Sequence, residues 1–456
     1  MSGRGSDVAA PLWCEHAWLG GDGVEAGVLI ELGGESIAAV SAAASAPSGA
    51  TMLRGLTLPG FANAHSHAFQ RAIRARTQTA RGSFWSWREA MYDAAARLDP
   101  DNYLALARAA FAEMALAGIT TVGEFHYVHH RPDGSAYEDP NALGLAVIEA
   151  ARQAGVRITL IDACYLRAGV GEPEPTAAQR RFCDPSADAW AERTAALADG
   201  PRARIGAAIH SIRAVDPEAA AVVAAAADAA SRPLHAHVSE QPAENEACLN
   251  AYGRSPTQVL AEAGALTASF TGVHATHVSA DDARLFGEAG ACCCICPTTE
   301  RDLGDGIGRP SRLLSAGARL AFGSDSNAII DPFEEARACE LDERLASGER
   351  VHQTPAELVG AATGGGQRSL GWPEAGSIAP GQLADLVTLD LQSPRLAGVG
   401  ADQLLAAAVF CAQPADVSQV MVAGRPIVVD GAHVELDVVA ELERSIRALD
   451  SASGLL

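Results

Sequence analysis

The chain contains no lysine, so all 34 of its basic side chains are arginines. This absence excludes a phosphate-binding loop with a lysine, a Schiff base with a carbonyl substrate, and a carbamylated lysine that bridges two metal ions. Positive charge is scarce overall, because the net charge is −22 and the isoelectric point is about 4.9. Such an acidic surface repels phosphate backbones, so we expect no nucleic-acid partner.

Long apolar runs are also absent. No stretch of about 18 apolar residues interrupts the chain, and the beginning of the sequence lacks the apolar core of a signal peptide. We therefore expect a soluble, cytoplasmic protein that does not interact with membranes.

The ten cysteines do not form the pattern of a disulfide framework, since they are scattered over 456 residues. Four of them fall in the segment CCCIC at residues 292–296. Neighbouring residues on a strand point to opposite faces, so this run cannot surround one zinc ion as a CxxC pair does. We interpret it as a buried strand that uses cysteine as a small apolar residue, in a reducing compartment.

The order of apolar and polar segments predicts an α/β fold. Residues 1–57 read as short strands, and residues 371–456 return to strands and turns. Between them, over residues 58–370, eight apolar runs alternate with helical patterns, at 56–61, 120–125, 156–164, 205–209, 233–238, 270–275, 291–295 and 320–323. This alternation predicts a metal-dependent (β/α)8 barrel of the TIM type, flanked by a small β-sandwich domain built from both chain ends. A doubly wound sheet is the alternative, but no GxGxxG follows the first strand.

Titratable side chains concentrate at the C-terminal ends of the predicted strands, which meet at one mouth of a barrel. These side chains are His65, His67, Glu124, His126, Tyr127, His210, Arg213, His235, His237, Glu240, His274, His277 and Asp325. Core histidines without a function would fall at both ends of the strands. We therefore predict one functional site at this mouth.

The two HxH pairs indicate a metal site, because residues two apart on a strand point to the same side. A hydrolytic zinc site needs a few nitrogen or oxygen ligands and one open position. We predict that the ligands are His65, His67, His237 and Asp325. His237 is preferred to His235 because Glu240 follows it by three residues.

The mouth also carries three residues that suit a hydrolysis that releases an amine, namely Asp325, Glu240 and His274. Asp325 can bind the metal and accept a proton from the attacking water, and Glu240 can carry a proton to the leaving nitrogen. His274 can orient or polarise the group under attack. Histidine and aspartate ligands also accept iron or manganese, so the choice among these ions stays open.

The segments FANAHSHAF, HAHVSE, GVHATH and FGSDSN, in this order and spacing, resemble the amidohydrolase superfamily, and within it the branch of aminohydrolases that use a single zinc ion. The resemblance covers nearly the whole chain, and the missing lysine agrees with it, since members with two metals bridge them by a carbamylated lysine. It implies one Zn²⁺ per chain and a homodimer.

Within that branch, the segments HAFQRA, FWSWREAMY, GEFHYVHH and HSIRAV are similar to the formimidoylglutamate deiminases. These enzymes of histidine degradation convert N-formimino-L-glutamate and water to N-formyl-L-glutamate and ammonia. The resemblance implies a dicarboxylate substrate contacted by Gln70, Arg88, Tyr127, His210 and Arg213. Arginine suits that task independently, because its planar fork binds carboxylates in pairs of hydrogen bonds.

Three alternatives share the fold. They are a deaminase of a purine, pterin or S-adenosylhomocysteine-like heterocycle, an imidazolonepropionase-like hydrolase, and a scaffold without activity. Aromatic residues make up only 5% of the chain, which disfavours a stacking pocket for a heterocycle. His126, His129, His130 and His277 have no assigned role, and the PTTE segment at 297–300 is expected to contribute backbone contacts at most.

Overall fold

The computed structural model describes residues 10–78, 82 and 84–451. Residues 1–9, on which the prediction of no signal peptide largely rests, lie outside these ranges. Within the described part, no helix is both long and apolar enough to span a membrane.

The strands of the structure build two separate eight-stranded sheets. In chain order the strands are β1 (Leu12–Ala17), β2 (Glu25–Gly33), β3 (Ser36–Ala42), β4 (Thr51–Pro59), β5 (Phe61–Ser66), β6 (Ile119–His126), β7 (Arg157–Cys164), β8 (Ala203–Ser211), β9 (Leu234–Val238), β10 (Phe270–His274), β11 (Cys292–Ile295), β12 (Arg319–Phe322), β13 (Leu386–Leu389), β14 (Val417–Val422), β15 (Arg425–Val429) and β16 (Ala432–His433).

Most helices lie between or after the strands β5 to β12, which form one of the two sheets. They are α1 (Phe84–Ala96), α2 (Pro100–Leu116), α3 (Ala142–Ala154), α4 (Ala187–Ala195), α5 (Pro217–Ala229), α6 (Pro242–Tyr252), α7 (Pro256–Glu262), α8 (Ala280–Ala289), α9 (Pro297–Leu303), α10 (Pro310–Ser315), α11 (Pro332–Ser347), α12 (Pro355–Gly360), α13 (Gly366–Ser369), α14 (Leu404–Phe410) and α15 (Val438–Ser451). A π-helical turn at Ala361–Gly365 joins α12 to α13, and 3-10 turns occur at Ala68–Ile73, Arg180–Phe182, Ala401–Gln403 and Pro414–Asp416.

Strands β5 to β12 form the barrel, because each is parallel to the next along the chain. A bridge between Ser66 and Asp325 brings the last strand back to the first, with the Asp325 amide donating to the carbonyl of His65 at 3.0 Å. Helices cover the outside of these strands. The predicted (β/α)8 barrel is thus confirmed, and its C-terminal mouth carries the predicted polar side chains.

The first barrel strand begins later than predicted. Leu56 to Pro59 belong to β4, which pairs with β1 and β13 in the other sheet, and the barrel strand starts at Phe61. Gly60 separates the two strands, and a Cβ there would lie 2.3 Å from the side chain of Thr120. The continuous apolar run from 56 to 61 is therefore divided between the two sheets.

The remaining strands come from both chain ends and pair in the order β16-β15-β14-β13-β4-β1-β2-β3. The sheet curls so that Ile37 of β3 exchanges backbone hydrogen bonds with residues 381 and 382. It encloses a small core of its own, which includes Leu12, Ile30 and Leu386. This arrangement confirms the predicted second β unit, while domain limits at 57 and 370 stay a prediction.

Helices α14 and α15 were not predicted, because the sequence after Gly371 was read as strands and turns. Helix α15 packs on α2, where Arg108 forms an ion pair with Glu441. The C-terminal segment therefore returns to the outside of the barrel.

Candidate active site

The four predicted metal ligands meet at the mouth of the barrel. His65 Nε2 lies 3.2 Å from His237 Nε2 and 3.3 Å from Asp325 Oδ1, and His67 Nε2 lies 3.4 Å from the same oxygen. His65 and His67 come from the end of β5, His237 from β9, and Asp325 from the segment after β12. All four side chains are buried.

The chemistry of this donor set fits a divalent metal ion. His67 Nδ1 lies 3.0 Å from the carbonyl oxygen of Phe125, and His237 Nδ1 lies 2.8 Å from that of His210. These carbonyls can only accept, so each Nδ1 carries the hydrogen and each Nε2 offers a lone pair to the cluster. Burial lowers the pKa of His67 to about 3, so its ring is neutral, as a metal ligand must be.

His235, the alternative ligand on β9, does not take part in this cluster. Its Nε2 lies 3.0 Å from the carbonyl oxygen of Ser369, the last residue of helix α13. The preference for His237 over His235 is therefore consistent with where the two rings lie.

His274 lies beside the four predicted metal ligands, which we call the metal-ligand cluster: His65, His67, His237 and Asp325. Its Nε2 is 3.7 Å from Asp325 Oδ2, and its Nδ1 is 3.3 Å from Glu300 Oε1. Burial alone would lower the pKa of His274, but Glu300, Glu240 and Asp325 outweigh it and raise the pKa to about 10. His274 and Asp325 both adopt positive φ angles, of 70° and 45°, which are uncommon for residues other than glycine.

Glu300 corrects one expectation, because its side chain, and not the backbone, contacts the site. The carboxylate accepts from the Cys296 amide at 2.9 Å and faces the His274 ring. Sequence reading missed this contact because Glu300 opens a helix, where a glutamate usually faces solvent.

A cavity with an empty volume of about 600 Å³ opens above the cluster. All five residues predicted at the substrate line it, together with Glu240, His274 and Asp325; the five are Gln70, Arg88, Tyr127, His210 and Arg213. His65 lies beneath the others and is fully buried. The structure therefore brings the predicted site residues together around one cavity.

Polar contacts hold these side chains in place. Gln70 Nε2 donates to the Tyr127 hydroxyl at 3.1 Å, and Arg88 donates to the Tyr165 hydroxyl at 3.3 Å. Arg213 is paired with Glu240 at 2.5 Å. Aromatic rings supply much of the remaining wall, including Phe84, Trp87, Tyr92 and Phe182.

A family model described as the amidohydrolase family matches residues 56–427, which is most of the chain. The chain belongs to this family. A formimidoylglutamate deiminase from Pseudomonas aeruginosa is 40% identical over 421 residues, covering 90% of this chain and 91% of that protein. An 8-oxoguanine deaminase from the same organism is 32% identical and covers 88% of each chain. The crystal structure of an amidohydrolase from Brucella melitensis superposes with a TM-score of 0.88 at 31% identity, over 96% of this chain and 99% of that one.

The other histidines of this amidohydrolase lie outside the metal-ligand cluster. His277 Nε2 lies 2.7 Å from the carbonyl oxygen of Asp305. His129 Nε2 lies 2.9 Å from the carbonyl oxygen of Ala163, and His130 Nε2 lies 3.4 Å from Asp184. These contacts give the rings structural partners beside the barrel mouth.

A second group of side chains lies close enough together to hold a metal ion: His126, His129 and Asp162. However, both carboxylate oxygens of Asp162 already accept hydrogen bonds from the protein. Its oxygens accept from Trp190 Nε1 at 2.9 Å and from Arg193 at 2.8 and 2.9 Å. The guanidinium of Arg193 supplies the positive charge that a metal would bring. This group is therefore a buried ion network. No local sequence pattern predicts it.

Proposed function

We propose that the protein hydrolyses N-formimino-L-glutamate to N-formyl-L-glutamate and ammonia, with one Zn²⁺ per chain. The observation that carries the proposal is the shared cavity of the metal-ligand cluster and two arginines, Arg88 and Arg213. In a chain of net charge −22, two guanidinium groups at one cavity favour an anionic substrate. The relative named formimidoylglutamate deiminase supports the same reaction.

The reaction adds the oxygen of water to the formimino carbon and breaks the bond from that carbon to the terminal nitrogen, which leaves as ammonia. A metal ion held by His65, His67, His237 and Asp325 would supply Lewis acidity and lower the pKa of a water molecule.

The remaining steps belong to side chains of the chain. Asp325 accepts a proton from the water, since it lines the cavity and its Oδ2 lies 3.7 Å from His274 Nε2. Glu240 starts ionised, takes up a proton that the added water releases and passes it to the leaving nitrogen, while Arg213 holds that carboxylate in place. His274, fixed by Glu300, orients the formimino group through its Nε2.

The substrate carboxylates lie against the arginine side of the cavity. Arg88 and Arg213 bind them, with Gln70, Tyr127 and His210 as neutral hydrogen-bonding partners.

A heterocycle deaminase is the second candidate, because the cavity wall carries more aromatic rings than the composition led us to expect. Phe84, Trp87, Tyr127, Tyr165 and Phe182 all line it. Such rings can stack on a base. Arg88 argues against this alternative, since a neutral purine gives it no partner charge, whereas Arg213 is already paired with Glu240.

Ammonia release by the zinc-loaded protein tests the proposal, with N-formimino-L-glutamate, 8-oxoguanine, S-adenosylhomocysteine and imidazolonepropionate as parallel substrates. We expect release from N-formimino-L-glutamate alone. Turnover of a heterocycle without turnover of N-formimino-L-glutamate would refute the assignment of the arginines and retain only the metal chemistry.

We further propose that the enzyme acts in histidine degradation, in the cytoplasm, as a homodimer. These statements rest on its likeness to formimidoylglutamate deiminases. Light scattering on the purified protein tests the dimer, and a mass of 47.0 kDa in solution would contradict it.

A further inference from the structure

The hydroxyl group of Tyr165 occupies an unusual position in the cavity wall, because it receives two hydrogen bonds from the protein. Tyr165 follows β7, lines the cavity and is only 2% exposed. Arg88 donates to its oxygen at 3.3 Å, and Gln179 Nε2 donates to it at 2.8 Å.

The direction of both bonds is fixed by the partners. An arginine can only donate. The side-chain oxygen of Gln179 accepts from the amide of Thr176 at 2.9 Å and from its hydroxyl at 2.8 Å, so the nitrogen of Gln179 must face Tyr165. With its oxygen accepting twice, Tyr165 has only its hydroxyl hydrogen left to offer.

Among the residues that the structure describes, no hydrogen bond uses that hydrogen. Tyr92 is the neighbouring phenol, and its buried hydroxyl has no hydrogen-bond partner among the described residues. It carries a hydrogen of its own, so a bond between the two phenols would still leave one hydrogen without an acceptor. We call the group of Arg88, Tyr92 and Tyr165 the donor corner. It offers more hydrogen-bond donors than acceptors.

The charge of the donor corner is also unmatched. Arg213 is paired with Glu240, whereas no carboxylate lies within ion-pair distance of Arg88 in the ranges that the structure describes. Arg88 is instead held against the rings of Trp85 and Tyr92, at 5.6 and 5.2 Å from their centroids. A guanidinium group fixed in place beside a hydroxyl donor can bind a carboxylate.

We propose that Tyr165 donates its hydroxyl hydrogen to one carboxylate of the substrate, beside Arg88, and that Gln179 is the positioning residue that directs it. This inference rests on the proposed function and deepens it, because it assigns one of the two carboxylates to the donor corner. Tyr165 thereby contributes to specificity for a dicarboxylate over a heterocycle.

The test measures binding of N-acetyl-L-glutamate, a dicarboxylate that cannot be deiminated, to the zinc-loaded protein by calorimetry. Tyr165→Phe removes the hydroxyl and keeps the ring. We expect the Kd to rise roughly tenfold or more, as for loss of a hydrogen bond to a charged group. Tyr252→Phe is the control, because the Tyr252 hydroxyl accepts from Arg167 at 2.9 Å and does not line the cavity.

Two analogues identify the carboxylate that is read. N-acetyl-4-aminobutyrate lacks one carboxylate of N-acetyl-L-glutamate, and N-acetyl-2-aminobutyrate lacks the other. Tyr165→Phe should weaken binding of the analogue that retains the carboxylate at the donor corner and leave the Kd of the other unchanged. Equal weakening of all three ligands, no weakening at all, or weakening by Tyr92→Phe instead of Tyr165→Phe would overturn the inference.

Failure of the inference and failure of the proposed function give different results. If the wild-type protein turns over N-formimino-L-glutamate but Tyr165→Phe binds N-acetyl-L-glutamate as tightly as wild type, only the role of Tyr165 is refuted. If the wild-type protein binds the dicarboxylate at the donor corner without releasing ammonia from N-formimino-L-glutamate, the proposed reaction is refuted.

Discussion

Arg213 and Glu240 form a partly buried ion pair, in which a guanidinium nitrogen lies 2.5 Å from a carboxylate oxygen. A second carboxylate, Glu244, lies 4.0 Å from the same guanidinium. The arginine predicted to bind substrate therefore also neutralises the carboxylate predicted to move a proton. Binding and proton transfer are coupled through this pair, so a change at Arg213 affects both.

The coupling predicts a pH effect for Arg213→Met. Burial alone would raise the pKa of Glu240, but Arg213 and two nearby histidines outweigh it and lower the pKa. Without Arg213 the pKa of Glu240 rises, so the ionised form is lost at a higher pH as the solution is acidified. We expect kcat/KM to fall and its acidic limb to shift to higher pH. A rise in KM with an unmoved pH profile would contradict the coupling.

The ligand assignment predicts different outcomes for the two histidines of β9. His237→Asn removes a group of the metal-ligand cluster, so metal content and activity should be lost together, and His67→Ala should behave likewise. His235→Asn is the matched control, because the His235 ring contacts the carbonyl of Ser369 instead. Elemental analysis of the purified variants decides the matter, and full metal content in His237→Asn would refute its assignment as a ligand.

The buried ion network predicts a large loss of stability for Arg193→Met. This change leaves Asp162 and Asp184 buried without their cation, which typically costs about 3–5 kcal/mol. Urea unfolding at neutral pH measures the change in the free energy of unfolding. Arg284→Met removes an exposed pair with Glu288 and should leave stability unchanged, so equal effects of the two substitutions would contradict the account.

The interpretation of the cysteine run predicts how the thiols react in the native protein. Of ten free cysteines, Cys411 is exposed, Cys183 is half-buried and the others are buried. Burial raises the pKa of Cys183 to about 12, so it should react slowly. We expect a thiol reagent to modify one cysteine rapidly, all ten after denaturation, and none rapidly in Cys411→Ser. Rapid modification of several cysteines would show that the strand Cys292–Ile295 is accessible.

The fold, and the proximity of the four predicted metal ligands, could be predicted from sequence because both depend on local order along strands. His65 and His67 share a side of one strand, and Asp325 follows the last strand of the barrel, so topology alone brings them together. The cysteine run likewise forms the predicted buried strand.

The contacts around these ligands could not be predicted, because they join elements that are distant in sequence. Tyr165 and Gln179 meet Arg88 through packing of a connecting segment on α1, and Glu300 turns back onto His274 from the start of α9. The boundary of the first barrel strand was wrong for a related reason. Pairing with β1 and β13, and not hydrophobicity, decides to which sheet Leu56 to Pro59 belong.

The most direct test of the central claim follows the oxygen of water into the product. The zinc-loaded protein is incubated with N-formimino-L-glutamate in ¹⁸O-labelled water, and the products are analysed by mass spectrometry and an ammonia assay. Hydrolytic deimination predicts one labelled oxygen in the formyl group of N-formyl-L-glutamate and one ammonia for each substrate consumed. Consumption that releases glutamate, or no consumption while 8-oxoguanine releases ammonia, would contradict the account.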